Sequence, residues 1–307
     1  MEHYKGLDKV RLDSSWVTIG TFDGVHLGHQ QIVAGLVEHA HQAGQPAVVI
    51  TFHPHPKIVL GRESRPFYLT LPEKRAQLFG EMGVDVVITH PFNDQISQLS
   101  AEAFIQRLHD HLRMETLWVG YDFALGKDRE GDPPRLRELG EDFGYTVHEV
   151  SSYTLHGEIV SSSRIRELLR QGKAQQAARF LGRLFQLKGQ VIGGDKRGKD
   201  LGFPTANLDV PREMVQIKPG IYATLTSLDG QDLPSVTNVG FRPTFDDGME
   251  FPIVETFILD FSGDLYGMEL EVSFHTYLRE EIKFESVPAL IAKMAEDVER
   301  AREILNA

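Results

Sequence analysis

At 307 residues the chain is longer than one hydrophobic core usually organises, which predicts two domains. Its 32 Lys and Arg against 44 Asp and Glu give a formal net charge of -12, which speaks against a nucleic-acid partner, and 41% hydrophobic with 25% charged residues excludes a disordered or fibrous chain. The absence of cysteine excludes disulfides, zinc-thiolate sites and thiol nucleophiles. No apolar run approaches the ~20 residues needed to span a bilayer, and MEHYKGLDKVRLDSS lacks the apolar centre of a signal peptide, so no membrane and a cytoplasmic location are expected.

From Trp16 to about Gly144, short apolar β-rich runs alternate with helical periodicity. WVTIG (16–20) reads as a strand; HQQIVAGLVEHAHQAG (29–44) places Ile32, Val33, Leu36, Val37 and Ala40 on one helical face; AVVITF (47–52) is the next strand. A helix follows Thr70, with Pro72 in its first turn and Gly83 beyond its end, and VDVVITH (84–90) is again a strand. Ser100 is placed to cap AEAFIQRLHDHL, TLWVG (116–120) follows as a strand, and Asp132 opens LRELGEDFG. Apolar strands separated by helices predict βαβ units and a parallel sheet of Rossmann-like type, covered on both faces. After two helical stretches, SSRIRELLRQG and KAQQAARFLG, the rhythm changes near Gly182 to strand after strand; Ile221, Ala223 and Leu225 alternate with Tyr222, Thr224 and Thr226. With DG, RP, DDG and SGD turn signals, this predicts an antiparallel Greek-key-like β-barrel, with a final helix from Ser286 and Pro288 covering a flank or opening. The predicted domains are 1–182 and 183–307.

GTFDGVHLGH (20–29) follows a strand and opens a helix. Gly20, Gly24 and Gly28 allow close backbone approach to a ligand, and the helix N-terminus offers N–H groups and a positive dipole end to phosphate. His26 and His29 can both aim donors at a phosphate where charge develops during nucleotidyl transfer, although a histidine near a turn often serves only the turn. VSSSRIRELL (160–169) adds hydroxyls from Ser161 to Ser163 and the Arg166 guanidinium at another helix start, a set that suits the outer phosphates of ATP; alone, such serines are commonly an N-cap.

GGDKRGKD (193–200) approaches the P-loop spacing, but Asp200 stands where Ser or Thr is required and Pro204 precludes the following helix, so that reading is rejected. In GFPTAN (202–207), Thr205 and Asn207 are two apart on an extended segment and share a face; their oxygens suit Mg²⁺. Glu255 lies in the otherwise apolar strand VETFILDF, where a carboxylate is paired, edge-exposed or catalytic; it is placed to accept the proton of a hydroxyl attacking a γ-phosphate.

These motifs resemble the bacterial bifunctional riboflavin kinase/FMN adenylyltransferase (FAD synthetase) family over essentially the whole chain. The N-terminal likeness rests on the H-x-G-H and S-S-S-R-I-R stretches, TFHPHP (51–56), LTLPEKRAQLFGEMGVD (69–85) and VGYDFALGKDREGD (119–132), with Val160 and Ser163 standing where the family more often has Ile and Thr. The C-terminal likeness rests on the glycine-rich loop, PTAN, Gly220 and Tyr222, NVGFRPTF (238–245), the Glu255 strand and L-R-x-E-x-K-F (278–284). The resemblance implies ATP-dependent phosphorylation of riboflavin to FMN, then adenylyl transfer from ATP giving FAD and pyrophosphate. By it, His26 and His29 are catalytic, Gly20, Phe22, Gly28, Ser162 and Arg166 bind ATP, and Pro54, Pro56 and Asp122 line the flavin of the adenylyl site. In the kinase half, Gly194, Lys199, Thr205 and Asn207 bind ATP, with Thr205 and Asn207 on Mg²⁺, Glu255 is the general base, and Arg279 lies in a mobile loop near the flavin.

His53/His55 and His109/His111 invite a transition-metal reading, but the second pair does not share a helical face and no HExxH occurs, so Mg²⁺ arriving with ATP is expected instead. The expected partners are riboflavin, FMN, FAD and ATP, with self-association open. Two other readings compete: a transferase for another small substrate with a regulatory barrel, against which PTAN and Glu255 argue, and a flavin carrier without turnover, against which the intact His26, His29, Thr205, Asn207 and Glu255 argue.

Overall fold

The computed structural model describes residues 1–63, 67–193, 202–243 and 250–306. The chain divides into two compact units: Met1–Ser64 with Thr70–Ser162, and Arg65–Leu69 with Ser163–Ala307.

The first unit is a six-stranded parallel sheet. In chain order it runs β1 (Glu2–Tyr4), β2 (Ser15–Ile19), α1 (Leu27–Gln42), β3 (Ala47–His53), α2 (Pro56–Val59), α3 (Pro72–Glu81), β4 (Val86–Pro91), α4 (Asp94–Ser97), α5 (Ala101–Leu112), β5 (Met114–Gly120), α6 (Pro133–Phe143) and β6 (Thr146–Val150). A short hairpin, β7 (Thr154–Leu155) with β8 (Glu158–Ile159), follows. Spatial order is β1-β4-β3-β2-β5-β6. Successive strand residues feed opposite cores, as full apolar runs require. Val48 and Ile50 pack with Phe104, Leu108 and Leu136 of α5 and α6; Ala47 and Val49 pack with Val33 and Leu36 of α1 and Phe79 of α3. The caps fall where expected: Ser100 accepts from the Ala103 N–H at 3.1 Å and Asp132 from the Arg135 N–H at 3.0 Å. The edge strands β1 and β6 were not legible, because neither is a continuous apolar run.

From Ser163 on, α7 (Ser162–Arg170) belongs to the second unit with α8 (Ala174–Leu181), and their apolar faces bury Ile165, Leu168, Ala177 and Phe180. Both helices, which the change of pattern near Gly182 leaves in the N-terminal half, therefore group with the barrel by contact. The barrel strands are β9 (Phe185–Ile192), β10 (Ala206–Asp209), β11 (Gly220–Leu228), β12 (Gln231–Pro243), β13 (Glu250–Ile258) and β14 (Glu269–Arg279). They close antiparallel in the order β10-β13-β12-β11-β14-β9, and β9 returns to β10.

The period-2 alternation of β11 holds, with the polar set inside. Tyr222, Thr224 and Thr226 are at most 1% exposed, while Ile221 and Leu225 are half-buried on the outer face. The reason is on both sides of the wall. Within, five hydroxyls form a ring: Thr224–Thr237 2.7 Å, Thr237–Thr256 2.9 Å, Thr256–Thr226 3.3 Å, Thr226–Ser235 2.8 Å and Ser235–Thr224 3.0 Å. Each member has two hydroxyl partners in the ring, so the buried hydroxyls satisfy one another. Outside, α9 (Val287–Leu305), capped by Ser286, lays Ala301, Ile304 and Leu305 against Ile221, Ala223, Val236 and Leu278.

Candidate nucleotide and phosphoryl-transfer sites

In the sheet unit, β2 lies between β3 and β5, where the order of connection reverses. Ligands of open parallel sheets bind outside the carboxyl ends of strands at such a switch point. The turn 20–29 follows β2, the 53–56 turn follows β3, and the stretch from Tyr121 follows β5, so three stretches singled out in the sequence leave adjacent strands at the same edge.

The 20–29 turn is built on unusual backbone: Phe22, Gly24 and Val25 all have positive φ, at 47°, 86° and 41°. Such angles in two non-glycine residues are held by surrounding contacts. Phe22 is 3% exposed, and a Cβ on Gly20 would meet its ring at 2.9 Å. Asp23, fully buried, accepts from the Thr70 N–H at 3.0 Å, and the Gly24 N–H donates to Thr70 Oγ1 at 2.9 Å. The Ser162 hydroxyl donates to the Asp23 carbonyl at 2.8 Å. Asp23 and Thr70, which sequence reasoning did not single out, thus clamp the turn; the only signal was their place inside two quoted stretches.

His26 is the N-cap of α1, and its Nδ1 accepts the His29 N–H at 3.4 Å. One first-turn donor is therefore taken by the protein itself. The His26 and His29 rings stack at 3.6 Å between centroids and 19° between planes, with the Phe22 ring edge-on to His29 at 5.1 Å. A Cβ on Gly28 would meet the His26 ring at 3.3 Å, so a side chain there would press the ring to shift by a few tenths of an ångström.

Pro54 and Pro56 flank His55, which caps α2 by accepting the Lys57 N–H at 3.0 Å. Asp122 lies just beyond β5, its carbonyl accepting from Arg129 at 2.9 Å. Arg166 falls in the second unit, 4% exposed, with Nε on the Phe67 carbonyl at 2.8 Å and its guanidinium 3.7 Å over the Phe67 ring.

In the barrel, register brings residues together that are far apart in sequence. Asn207 on β10 pairs with Glu255 on β13, and Glu255 pairs with Asn238 on β12. Directly opposite residues of an antiparallel pair share a face. All three are half-buried, whereas Ala206, Leu208, Val254, Thr256, Thr237 and Val239 beside them are buried, so the row stands on the outer wall. Thr205, two residues before Asn207, is half-buried likewise. The row continues through Ile221 to Arg279. Asn238 is the member sequence reasoning missed as a residue; its Oδ1 is buried without a hydrogen-bond partner among the described residues. Gly194 and Lys199 lie outside the described residues.

Arg279 ends β14 instead of lying in a loop. Its guanidinium is fixed to Asp297 of α9 by bonds of 2.6–3.0 Å, a pair largely shielded from water, which holds the side chain in one place.

A hydroxyl, two amides and a carboxylate are oxygen donors suited to a hard cation that keeps water and phosphate ligands. Among the described residues there is no cluster of three or more His, Cys, Asp or Glu placed to hold a metal, and no helix is long and apolar enough to cross a membrane.

The FAD synthetase family matches residues 8–164 and the riboflavin kinase family residues 181–305. Bifunctional riboflavin kinase/FMN adenylyltransferases are similar along the whole chain: that of Pseudomonas fluorescens is 41% identical, covering 98% of this chain and 97% of its own. Those of Listeria monocytogenes (36% identical, 93% and 91%) and Haemophilus influenzae (35%, 100% of each) behave alike. A solved Streptococcus pneumoniae structure, described as a macrolide-efflux protein, superposes with a TM-score of 0.89 at 28% identity over 98% of both chains. With both halves matched and relatives above 30% identity over more than nine-tenths of their length, the chain belongs to the bifunctional riboflavin kinase/FMN adenylyltransferase family.

Proposed function

We propose that the two activities of this family, phosphorylation of riboflavin to FMN and adenylylation of FMN to FAD, are divided along the chain, with residues 1–182 carrying adenylyl transfer and 183–307 the kinase. The observation that carries the reading is the pairing of Asn207 with Glu255 on one face of a barrel that is not a P-loop. Glu255 is the base toward the riboflavin hydroxyl, and Thr205 and Asn207 orient the nucleotide. When bound there with ATP, Mg²⁺ neutralises charge on the phosphates. In the sheet unit, His26 and His29 donate to the α-phosphate as charge develops, beside the α1 N-terminus. Gly20, Phe22 and Gly28 shape the turn, Ser162 serves the outer phosphates, and Pro54, Pro56 and Asp122 face the flavin. A cytoplasmic place for the reactions belongs to this reading and is supported by their use of ATP.

The test is direct: purified chain is incubated with riboflavin, ATP and Mg²⁺, and flavins are separated by chromatography. FMN and then FAD should appear, and a chelator should stop both. Unchanged riboflavin would refute the reading, and FAD made only from supplied FMN would refute its kinase half.

A further inference from the structure

The sheet unit holds a fully buried guanidinium that the proposed chemistry leaves unused. Arg75, in the first half of α3, is 0% exposed. Its Nη1 donates to the Thr21 carbonyl and to Thr51 Oγ1 (3.1 Å), and its Nη2 donates to the Phe52 carbonyl at 3.2 Å. Thr51 Oγ1 itself donates to the Thr21 carbonyl at 2.9 Å. One planar fork therefore joins the carboxyl ends of β2 and β3, immediately before Phe22 and His53. Five residues earlier Thr70 holds the far side of the same turn through Asp23 and Gly24. The segment 70–75 thus grips the 20–29 turn at Thr21, Asp23 and Gly24 and ties it to the strand end that leads into the 53–56 turn.

A buried cation is costly unless its donors are satisfied, and here the Thr21 and Phe52 carbonyls and the Thr51 hydroxyl accept from it. What an apolar side chain could not do is fix two backbone carbonyls of different strands relative to each other. We propose that Arg75 is a positioning residue for adenylyl transfer: it holds the turn that carries His26 and His29 in register with the turn that faces the flavin. The inference rests on the assignment of those two turns to the adenylyl site.

Arg75→Lys in the full chain keeps the charge but cannot fork to both carbonyls. Misplacement of reacting groups costs on the order of 10²-fold per ångström, so kcat for FAD formation from FMN and ATP should fall about 10- to 100-fold, with KM values moving less than about 3-fold. Riboflavin phosphorylation by the same preparation should be unchanged. Thr51→Val, near in volume, removes the hydroxyl shared by Arg75 and Thr21 and should lower the same kcat by about 3- to 10-fold. Because both variants act through the Thr21 carbonyl, the double variant should be no worse than Arg75→Lys alone, whereas two independent losses of stability would add. A wild-type kcat in Arg75→Lys, or additive losses that follow the melting temperature, would overturn the proposal. If Arg75→Lys unfolds the sheet unit, Thr51→Val decides, and a wild-type kcat there overturns it. His29→Ala run in parallel separates the two failures: retained FAD synthesis in that variant removes the site assignment itself, while its loss beside an unaffected Arg75→Lys removes only the role of Arg75.

Discussion

Glu255→Gln isolates basicity from shape. The side chain sits in the outer row between Asn207 and Asn238, whose Cβ atoms, as directly opposite neighbours, lie about 4.5–5.5 Å away. Glutamine has the same length and fills the same place, and the buried side of β13, with Val254, Thr256 and Ile258, is untouched. What is lost is the ability to accept the proton of the attacking hydroxyl. General bases contribute about 10²- to 10⁴-fold, and a loose phosphoryl-transfer transition state needs little proton removal, so a loss of about 10²- to 10³-fold is expected. That corresponds to about 3–4 kcal/mol of transition-state stabilisation. The assay is steady-state FMN formation from riboflavin, with FAD formation from supplied FMN as control. FMN formation within about 3-fold of wild type would refute the base assignment, since no base worth about 10²-fold could then have been removed. A parallel fall in both activities, together with a lower melting temperature, would show instead that the substitution had damaged the fold.

Three further perturbations test other parts of the structure. His29→Ala removes one member of the imidazole stack and should lower FAD formation by about 10²- to 10³-fold, leaving FMN to accumulate from riboflavin; normal FAD output would make His29 a residue of the turn alone. Thr237→Val deletes two ring bonds, to Thr224 and Thr256, but Thr224 keeps Ser235 and Thr256 keeps Thr226, so a cost of about 1–2 kcal/mol and a fall of about 3–6 °C in the barrel's melting temperature are expected. An unchanged melt would mean the ring adds nothing. His90, held below the usual imidazole range by burial, favours the neutral form when folded, and its Nδ1 accepts the Leu7 N–H at 3.3 Å. Its stabilisation is therefore complete above the unfolded pKa of about 6.5 and is lost as pH falls. The sheet unit should melt lower at about pH 5.5 than at about pH 7.5, and His90→Gln should shrink that difference; an equal difference in both chains would refute the linkage.

How much of this was legible in the sequence depended on whether the signal was local. The caps at Ser100, Asp132 and Ser286 and the central strands were, because short-range chemistry and continuous apolar runs determine them. β1 was not: three residues with Glu2 exposed acquire strand character only by pairing with Val86–Ile88. The alternation of β11 was legible but its sense was not, since a helix that begins only at Val287 covers the outer face and lets Ile221 and Ala223 point away from the barrel interior. Arg279 read as part of a loop because Asp297, which fixes it, lies on another element. Asn238 stood in a quoted stretch, yet only the pairing of β12 with β13 shows that it meets Glu255.

The two proposed sites depend on the fold in different ways. In the sheet unit, reactive groups follow strand ends, and their placement depends on turns held by Arg75, Thr70 and Asp23. In the barrel they form a row across strands, and their placement depends on register. A slip of one residue in β13 would turn Glu255 into the barrel and away from Asn207. The hydroxyl ring opposes that slip. Thr237 pairs with Thr256 and Thr224 with Ser235 in the observed register, and the adjacent pair along β12 and β13 is Asn238 with Glu255. Any shift that moved Glu255 would leave buried hydroxyls without partners, at a cost of about 1–3 kcal/mol each. The ring inside the wall therefore holds in place the row outside it, one residue along the same strands.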